Sequence, residues 1–374
     1  MDFLLDSEQT ALRDAVRGLL KGYDNEHRRE ATSQDPGYDT EMWGKLAEMG
    51  LLGLPFSEDH GGMGAGPVEL SVVAEELGRV NAPEPYVESV VLAGGLVAAA
   101  GTDAQRSEIL EALSTGEKTL AAALLEPDSR WEVAGGGVTA KEGTLTGVKE
   151  PVLGGAGADL LVVSATTDDG LGLFLVDNEG LDVTSYATVD GGRAARIVFD
   201  ATPATPLGDG SIDATAAVQR VVAAAKIAYC HQSLGLMETA LKMTTDYLTT
   251  RKQFGVTLNR FQALTFRAAD MYTSVELTRS IVMWATMVLA DRGSSAEKVT
   301  EAARRAKLQV SRAGRHVGQE AIQLHGGIGM TAEYAVGHLT TRLTAIDHLL
   351  GDGREQARHL VQTLTDHGVV EPLP

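Results

Sequence analysis

The chain has 374 residues, a formal net charge of −19 at pH 7, 44% hydrophobic and 5% aromatic residues, and one cysteine, Cys230. Such an acidic chain should be repelled by nucleic acid and by anionic membranes, and one cysteine excludes an intramolecular disulfide. The acidic N-terminus lacks a signal-peptide pattern, no apolar run is long enough to span a membrane, and no metal-ligand spacing occurs, so a metal-free cytoplasmic protein is expected.

Residues 1–118 are predicted to form a helical domain. Ser7 is a candidate N-cap for a first helix that carries Leu12, Val16 and Leu19 on one face. A later helical run over residues 68–80 contains the adjacent acids Glu75 and Glu76, for which a structural role is favoured over catalysis.

Residues 119–211 are predicted to form a β domain. Short apolar runs occur over residues 119–125, 160–165, 171–176 and 196–199, and residues 144–149 alternate. Glycine and aspartate separate these runs, which is typical of strands joined by turns.

Residues 212–374 are predicted to form a helical bundle. The helical period persists from about Asp213 to about Leu364, with long runs over residues 214–248, 262–289 and 296–324. Successive long helices favour an antiparallel bundle, so the chain is predicted to be mostly α with a central β domain.

Two motifs in the C-terminal third could bind a phosphate-containing group. Arg251-Lys-Gln-Phe-Gly follows a predicted helix, and Gln323-Leu-His-Gly-Gly ends another. Arginine can pair bidentately with phosphate, and glycines let backbone amides approach its oxygens. The alternative is that Arg251 caps its helix, Phe254 lies in the core and the glycines form a turn.

Taken together, these motifs and the N-terminal His60-Gly-Gly-Met-Gly and Glu75-Glu-Leu-Gly-Arg segments resemble the acyl-CoA dehydrogenase family along essentially the full chain. The resemblance implies an N-terminal helical domain, a barrel-like β domain and a C-terminal four-helix bundle. It also implies FAD as cofactor, an acyl-CoA substrate and electron-transfer flavoprotein as electron acceptor. The residues that the resemblance assigns to FAD, in a neighbouring subunit, are Arg251, Gln253, Phe254, Gln262, Gln323, Gly326 and Gly327.

The segments that would cover the flavin ring depart from the family pattern. Framework residues Glu126, Pro127, Gly147 and Lys149 are retained. Apolar side chains stand where the family has a hydroxyl, an indole and a second hydroxyl, and such side chains cannot donate hydrogen bonds to the ring. These three replacements are Leu125, Pro151 and Leu153.

The catalytic base of the family is also replaced. Abstraction of the α-proton requires a carboxylate, and the two positions that carry it in different branches hold Leu350 and Ala225 here. Asp352 is a nearby candidate base, although an aspartate between glycines is also typical of a turn. Lys226 could contact the CoA pyrophosphate, or it could be a solvated helix residue.

This pattern resembles the non-catalytic subunit of actinobacterial α2β2 acyl-CoA dehydrogenases. The resemblance predicts a chain that completes the FAD site of a related partner subunit, in an enzyme that acts on a bulky acyl-CoA such as a steroidal one. Three alternatives stay open: a self-sufficient homotetrameric dehydrogenase with an atypical base, a flavin-free structural or acyl-CoA-binding subunit, and a flavin monooxygenase or oxidase on the same fold.

Overall fold

The structure, a computed structural model, describes residues 4–131, 133, 136–209 and 213–364. Helices, then a sheet, then longer helices follow one another along the chain, which confirms the predicted mostly α fold with a central β region. The predicted boundary after residue 118 lies in the loop between the last N-terminal helix and the first strand. The predicted boundary at residues 211–212 lies outside the described residues.

The N-terminal region is helical, as predicted. Asp6, not the predicted Ser7, is the N-cap of the first helix, because its carboxylate accepts hydrogen bonds from the amides of Glu8 and Gln9 at 2.9 and 2.8 Å. The helices are α1 (Ser7–Leu19), α2 (Asn25–Ser33), α3 (Thr40–Glu48), α4 (Pro67–Arg79), a π-helical segment (Tyr86–Gly94), α5 (Gly95–Ala100) and α6 (Asp103–Ser114).

The central region is a mixed sheet with the order β6-β7-β3-β2-β4-β5-β8, and β1 pairs in parallel with β4. Within the described ranges, no hydrogen bonds pair the end strands β6 and β8. The β domain, expected to be barrel-like, is therefore an open sheet. The strands are β1 (Leu120–Ala123), β2 (Thr139–Lys141), β3 (Thr144–Leu153), β4 (Leu160–Thr167), β5 (Gly170–Asp177), β6 (Asp182–Ala187), β7 (Arg193–Pro203) and β8 (Thr205–Pro206).

A buried ion pair ties β3 to the segment after β1. The Lys149 ammonium lies 2.9 Å from the Glu126 carboxylate and also donates to the Leu124 carbonyl and the Ser164 hydroxyl. The Lys149 side chain is 1% exposed. Burial alone would raise the pKa of Glu126, but the ammonium and two backbone amides hold that pKa below its usual value. The pair therefore fixes the framework that the sequence retains.

The C-terminal region is built around one helix of 36 residues, α7. It crosses α4 at a close backbone contact, where a Cβ on Gly78 would lie 2.1 Å from the Gln232 carbonyl and one on Gly235 would lie 2.1 Å from the Glu75 carbonyl. The predicted bundle consists of α7 (Thr215–Thr250), α8 (Gln262–Ala290), α9 (Ala296–His325) and α10 (Ala335–His348), followed by the short α11 (Gly353–Gln362). Between α7 and α8, β9 (Lys252–Gln253) pairs with β10 (Val256–Thr257).

The acids Glu75 and Glu76 join helices. Glu76 accepts hydrogen bonds from Arg17 at 2.7 and 2.9 Å and from Arg79 at 3.0 Å. Glu75 contacts Arg79 at 2.9 Å and His231 at 3.2 Å. These contacts connect α1, α4 and α7, which agrees with the structural role favoured from the sequence.

A second buried acid, Glu84, lacks such pairing. It is 3% exposed, and one carboxylate oxygen accepts a hydrogen bond from the Tyr23 hydroxyl at 3.0 Å. The other oxygen is buried without a hydrogen-bond partner in the described part of the chain. Burial raises the pKa of Glu84 to about 7, because the charged form loses its hydration.

We expect Lys149→Met to lower the free energy of unfolding by about 3–5 kcal/mol, because it leaves the Glu126 carboxylate buried without its cation. The matched control is Lys242→Met. Lys242 pairs with Asp246 on the exposed face of α7, with side chains 75% and 64% exposed, and its loss should cost less than about 1 kcal/mol. Urea unfolding followed by circular dichroism measures both, and equal losses would contradict the framework role of Lys149.

The replacement Glu84→Gln should change how stability depends on pH. The folded-state pKa is raised, so the contribution of Glu84 is fully present below its ordinary pKa of 4.5 and is lost as pH rises through about 7. The variant should therefore gain about 1–3 kcal/mol relative to the parent chain between pH 5 and pH 8. Unfolding at the two pH values measures this gain, and Glu108→Gln, on an exposed part of α6, is the control that should show none.

Candidate functional site

Residues far apart in the sequence meet around one small inner pocket. Leu125, Pro151, Leu153 and Leu350, the four apolar replacements for the ring contacts and the base, all line it. Its volume is about 40 Å³, enough for roughly three water molecules. Sites for drug-sized ligands occupy about 300–1,000 Å³. The full lining of the inner pocket is Glu88, Leu92, Ala122, Leu124, Leu125, Pro151, Leu153, Tyr229, Leu349 and Leu350.

Leu350 reaches the inner pocket through an unusual backbone conformation. Its φ is +55°, which costs a bulky residue about 1–2 kcal/mol, and Gly351 follows it with φ +102°. The side chain is only 9% exposed. Ala225, the other position expected to replace a base, is fully buried in α7 and is not among the residues that line the pocket.

Glu88 is the one carboxylate among the described residues that line the inner pocket. It accepts a hydrogen bond from the Tyr229 hydroxyl at 2.9 Å, and Arg342 lies 3.8 Å away. Arg342 also contacts Asp190 at 2.8 Å, so Glu88 belongs to a network that spans all three regions. Sequence reasoning missed Glu88, because a single acid in the apolar run before Gly94 gives no sign of partners more than 100 residues away.

A much larger outer cavity, of about 1240 Å³, lies between the sheet and the C-terminal helices. Trp131 contributes from the sheet side, and its indole N–H donates to the His348 carbonyl at 2.8 Å. Residues of α7, α9 and α11 form the remaining walls. Leu350 lines both this cavity and the inner pocket, so its side chain stands between them.

Within the described ranges, four cations that line the outer cavity have no side-chain hydrogen bond or ion pair: Arg130, Lys226, Arg304 and Arg354. Lys226 is partly buried, and burial beside Arg304 and Lys307 lowers its pKa to about 8. Arg304 has a buried Nε without a hydrogen-bond partner. Charged groups left unpaired in a cavity favour an anionic ligand, because such a ligand would replace the hydration that they lose.

Asp352, the candidate base, lies in the outer cavity and not in the inner pocket. It is the N-cap of α11, where one carboxylate oxygen accepts a hydrogen bond from the Glu355 amide at 2.8 Å. This position explains the aspartate as a helix cap, and Leu350 separates it from the inner pocket.

The first C-terminal motif forms a tight hairpin at the end of α7. Gln253 pairs with Val256, so Phe254 and Gly255 are the two turn residues, with φ of +54° and +82°. Phe254 is 92% exposed, which rules out a core role, and its ring meets only Phe261, at 6.1 Å in an edge-to-face arrangement. A bulky residue held in a strained, exposed turn is typical of a binding surface.

The second motif lies beside the first. The His325 ring, 3% exposed, packs between Tyr247 of α7 at 4.6 Å and Tyr334 at 5.0 Å. This contact brings the end of α9 next to the end of α7. The seven residues that the resemblance assigned to FAD are all exposed on these two segments: Arg251, Gln253, Phe254, Gln262, Gln323, Gly326 and Gly327.

These seven exposed residues form a surface, here called the motif surface, with features that suit the phosphates of FAD. The Arg251 side chain has no hydrogen bond or ion pair with any described residue, and a Cβ on Gly326 or Gly327 would meet open space. A cation and accessible backbone amides are the groups that bind phosphate. The inner pocket, by contrast, is too small and too apolar for a flavin ring. The motif residues therefore suit phosphate, and the inner pocket does not suit a flavin ring.

No helix within the described ranges is long and apolar enough to cross a membrane. Within the same ranges, no cluster of three or more histidine, cysteine or acidic side chains could hold a metal ion.

Comparison with known proteins agrees with this architecture. The chain is 30% identical over 349 residues to Acyl-CoA dehydrogenase FadE27 of Mycobacterium tuberculosis, over 91% of this chain and 92% of that protein. Among solved structures, it is similar to a variant of the Tcur3481-Tcur3483 steroid ACAD, with 32% identity, a TM-score of 0.87 and coverage of 96% and 98%. It is also similar to the ChsE4-ChsE5 complex from Mycobacterium tuberculosis, with 27% identity, a TM-score of 0.88 and coverage of 99% and 100%.

Two family models account for most of the chain. The model of the acyl-CoA dehydrogenase N-terminal domain matches residues 6–117, and the model of the C-terminal domain matches residues 215–362. These two models together match most of the chain, and one relative is 30% identical over 91% of it. The chain therefore belongs to the acyl-CoA dehydrogenase family of FAD-containing oxidoreductases.

Proposed function

We propose that this chain is a subunit of an FAD-dependent acyl-CoA dehydrogenase in which a related partner chain carries out the chemistry. The observation that carries the proposal is the inner pocket of about 40 Å³, where apolar residues replace both the ring contacts and the base. Such a pocket cannot accept a flavin ring, and Leu350 cannot remove a proton. The dehydrogenation step therefore takes place in the partner.

The motif surface gives this chain its role in the complex. Arg251, Phe254 and Gln323 are exposed at the adjoining ends of α7 and α9. When bound in the partner, FAD supplies the acceptor for the hydride. Arg251 would pair with its phosphates, and the amides of Gly326 and Gly327 would hydrogen-bond them. Exposed apolar side chains extend this surface along α8 and the turn after α9, and they would be covered by the partner: Phe266, Tyr272, Leu277, Ile328 and Met330.

The outer cavity suggests the class of substrate. Its volume exceeds that of most small-ligand sites, and the unpaired Lys226 and Arg304 suit the phosphates of an acyl-CoA. The relatives include a steroid ACAD and the ChsE4-ChsE5 complex. A bulky, steroid-like acyl-CoA is the substrate that these observations favour. A cytoplasmic location and electron-transfer flavoprotein as acceptor complete the proposal.

A self-sufficient homotetramer is the second candidate. It requires a base in this chain, and the fold offers Glu88 in the inner pocket and Asp352 in the outer cavity. Glu88 already accepts a hydrogen bond from Tyr229, and Asp352 caps α11. A flavin-free acyl-CoA-binding subunit would share the outer cavity but would leave the motif surface without a role. A flavin monooxygenase or oxidase would need no base, but it would still need space for the flavin ring.

The proposal is tested by changing Arg251 in the complex. The chain is co-expressed with a related acyl-CoA dehydrogenase from the same organism, and Arg251→Ala should weaken FAD binding by about tenfold to a hundredfold, because a charge-assisted phosphate contact is lost. The matched control is Arg292→Ala, in the loop at the far end of α8, which should leave FAD affinity unchanged. Fluorescence titration of the apo-complex with FAD measures both.

Two results would contradict the proposal. Equal FAD affinity in the two variants would remove the motif surface from the flavin site. Retained dehydrogenation of an acyl-CoA by this chain alone, with loss of activity in Glu88→Gln or Asp352→Asn, would favour the self-sufficient enzyme.

A further inference from the structure

The lining of the outer cavity places Lys226 at its inner end. Residues of α7 enter the lining at helical spacing, from Thr215 near the start of the helix to Lys226. Tyr229, the next residue on this face, lines the inner pocket instead. Three residues of helix rise by about 4.5 Å, so the Lys226 side chain starts within one turn of the border between the two spaces.

Leu350 forms that border from the opposite side. Among the residues that the structure describes, it is the only one that lines both the outer cavity and the inner pocket. Leu350 therefore closes the end of the outer cavity to which Lys226 contributes. A thioester that binds with its acyl group at this end would bring its carbonyl carbon toward Lys226.

The Lys226 amine is free to react. It has no hydrogen bond or ion pair within the described ranges, and its pKa is lowered to about 8 by burial and by Arg304 and Lys307, against the opposing effect of Cys230 and Glu355. At pH 8 about half of the amine is unprotonated, compared with less than about 1% for an ordinary surface lysine. An unprotonated lysine is a nucleophile toward carbonyl groups.

We propose that Lys226 is an acceptor for acyl groups delivered by thioesters bound in the outer cavity, so that the chain acylates itself at this site. The Nζ lone pair attacks the thioester carbonyl carbon, the C–S bond breaks, and the proton lost by the nitrogen passes to the departing thiolate. The products are an amide on Lys226 and a free thiol. No oxidant, reductant or further reactant is needed. The inference rests on the proposed use of acyl thioesters.

The test uses acetyl-CoA, which has no β-carbon and therefore cannot be dehydrogenated. The full chain is incubated with it between pH 6 and pH 10, alone and in complex with its partner, and acetylation is followed by peptide mass spectrometry. Lys226 should be acetylated at least about tenfold faster than exposed Lys45 at pH 8. The rate should level off above about pH 9, should saturate with acetyl-CoA and should fall when free coenzyme A competes.

Two matched controls separate the accessibility of a lysine side chain from the lowering of its pKa. Lys307 is also buried with a lowered pKa, but its side chain is fully covered and its ammonium donates to the Ile346 carbonyl, so it should stay unmodified. Lys226→Arg keeps the charge without the nucleophile and should abolish the fast phase. Equal rates at Lys226 and Lys45, or a fast phase that survives in Lys226→Arg, would overturn the inference.

Failure of this inference is distinguishable from failure of the proposed function. Calorimetric binding of coenzyme A without acetylation of Lys226 would overturn the acceptor role and leave the half-site proposal intact. Acetylation of Lys226 in a complex whose FAD affinity does not depend on Arg251 would support the acceptor role and overturn the half-site proposal.

Discussion

The Leu350 side chain stands between the outer cavity and the inner pocket, and the functional properties of the chain depend on this barrier. The residue accepts a left-handed backbone to reach its position, and a strained residue of this kind persists only where the surrounding packing holds it. With Leu125, Pro151 and Leu153 it leaves a space of about 40 Å³. A flavin ring and an acyl group cannot share such a space. The same packing leaves the rest of the family fold intact.

One helix, α7, connects the parts of the molecule that we assign to function. Its first turns line the outer cavity, Tyr229 in its middle lines the inner pocket, and Arg251 at its end begins the motif surface. Close backbone contact at Gly78 and Gly235 fixes this helix against α4. A cavity for an anionic ligand and a surface for a partner are therefore held on one rigid element, which is the arrangement that precise binding sites require.

Much of this organisation follows from the sequence. The long bundle helices obey the 3.6-residue period. The family resemblance, and not periodicity, predicts Leu125, Pro151 and Leu350 as replacements for the ring contacts and the base. Other features depend on packing between residues that are far apart in the sequence, which no local sequence pattern predicts. Strand β6 is polar because it is an edge strand, and Glu88 finds Tyr229 only in the folded chain. The volume of a cavity and the burial of Lys226 likewise depend on how distant elements pack, since a lysine on a helix is ordinarily solvated.

The ratio of FAD to protein chain, measured by absorbance, tests the central claim most directly. The chain is purified alone and again after co-expression with a related acyl-CoA dehydrogenase from the same organism. A closed inner pocket predicts almost no flavin in the chain alone, and one FAD for each pair of chains in the complex. One FAD per chain in the protein purified alone, reduced on addition of an acyl-CoA, would contradict the claim and would show that the inner pocket opens to hold the ring.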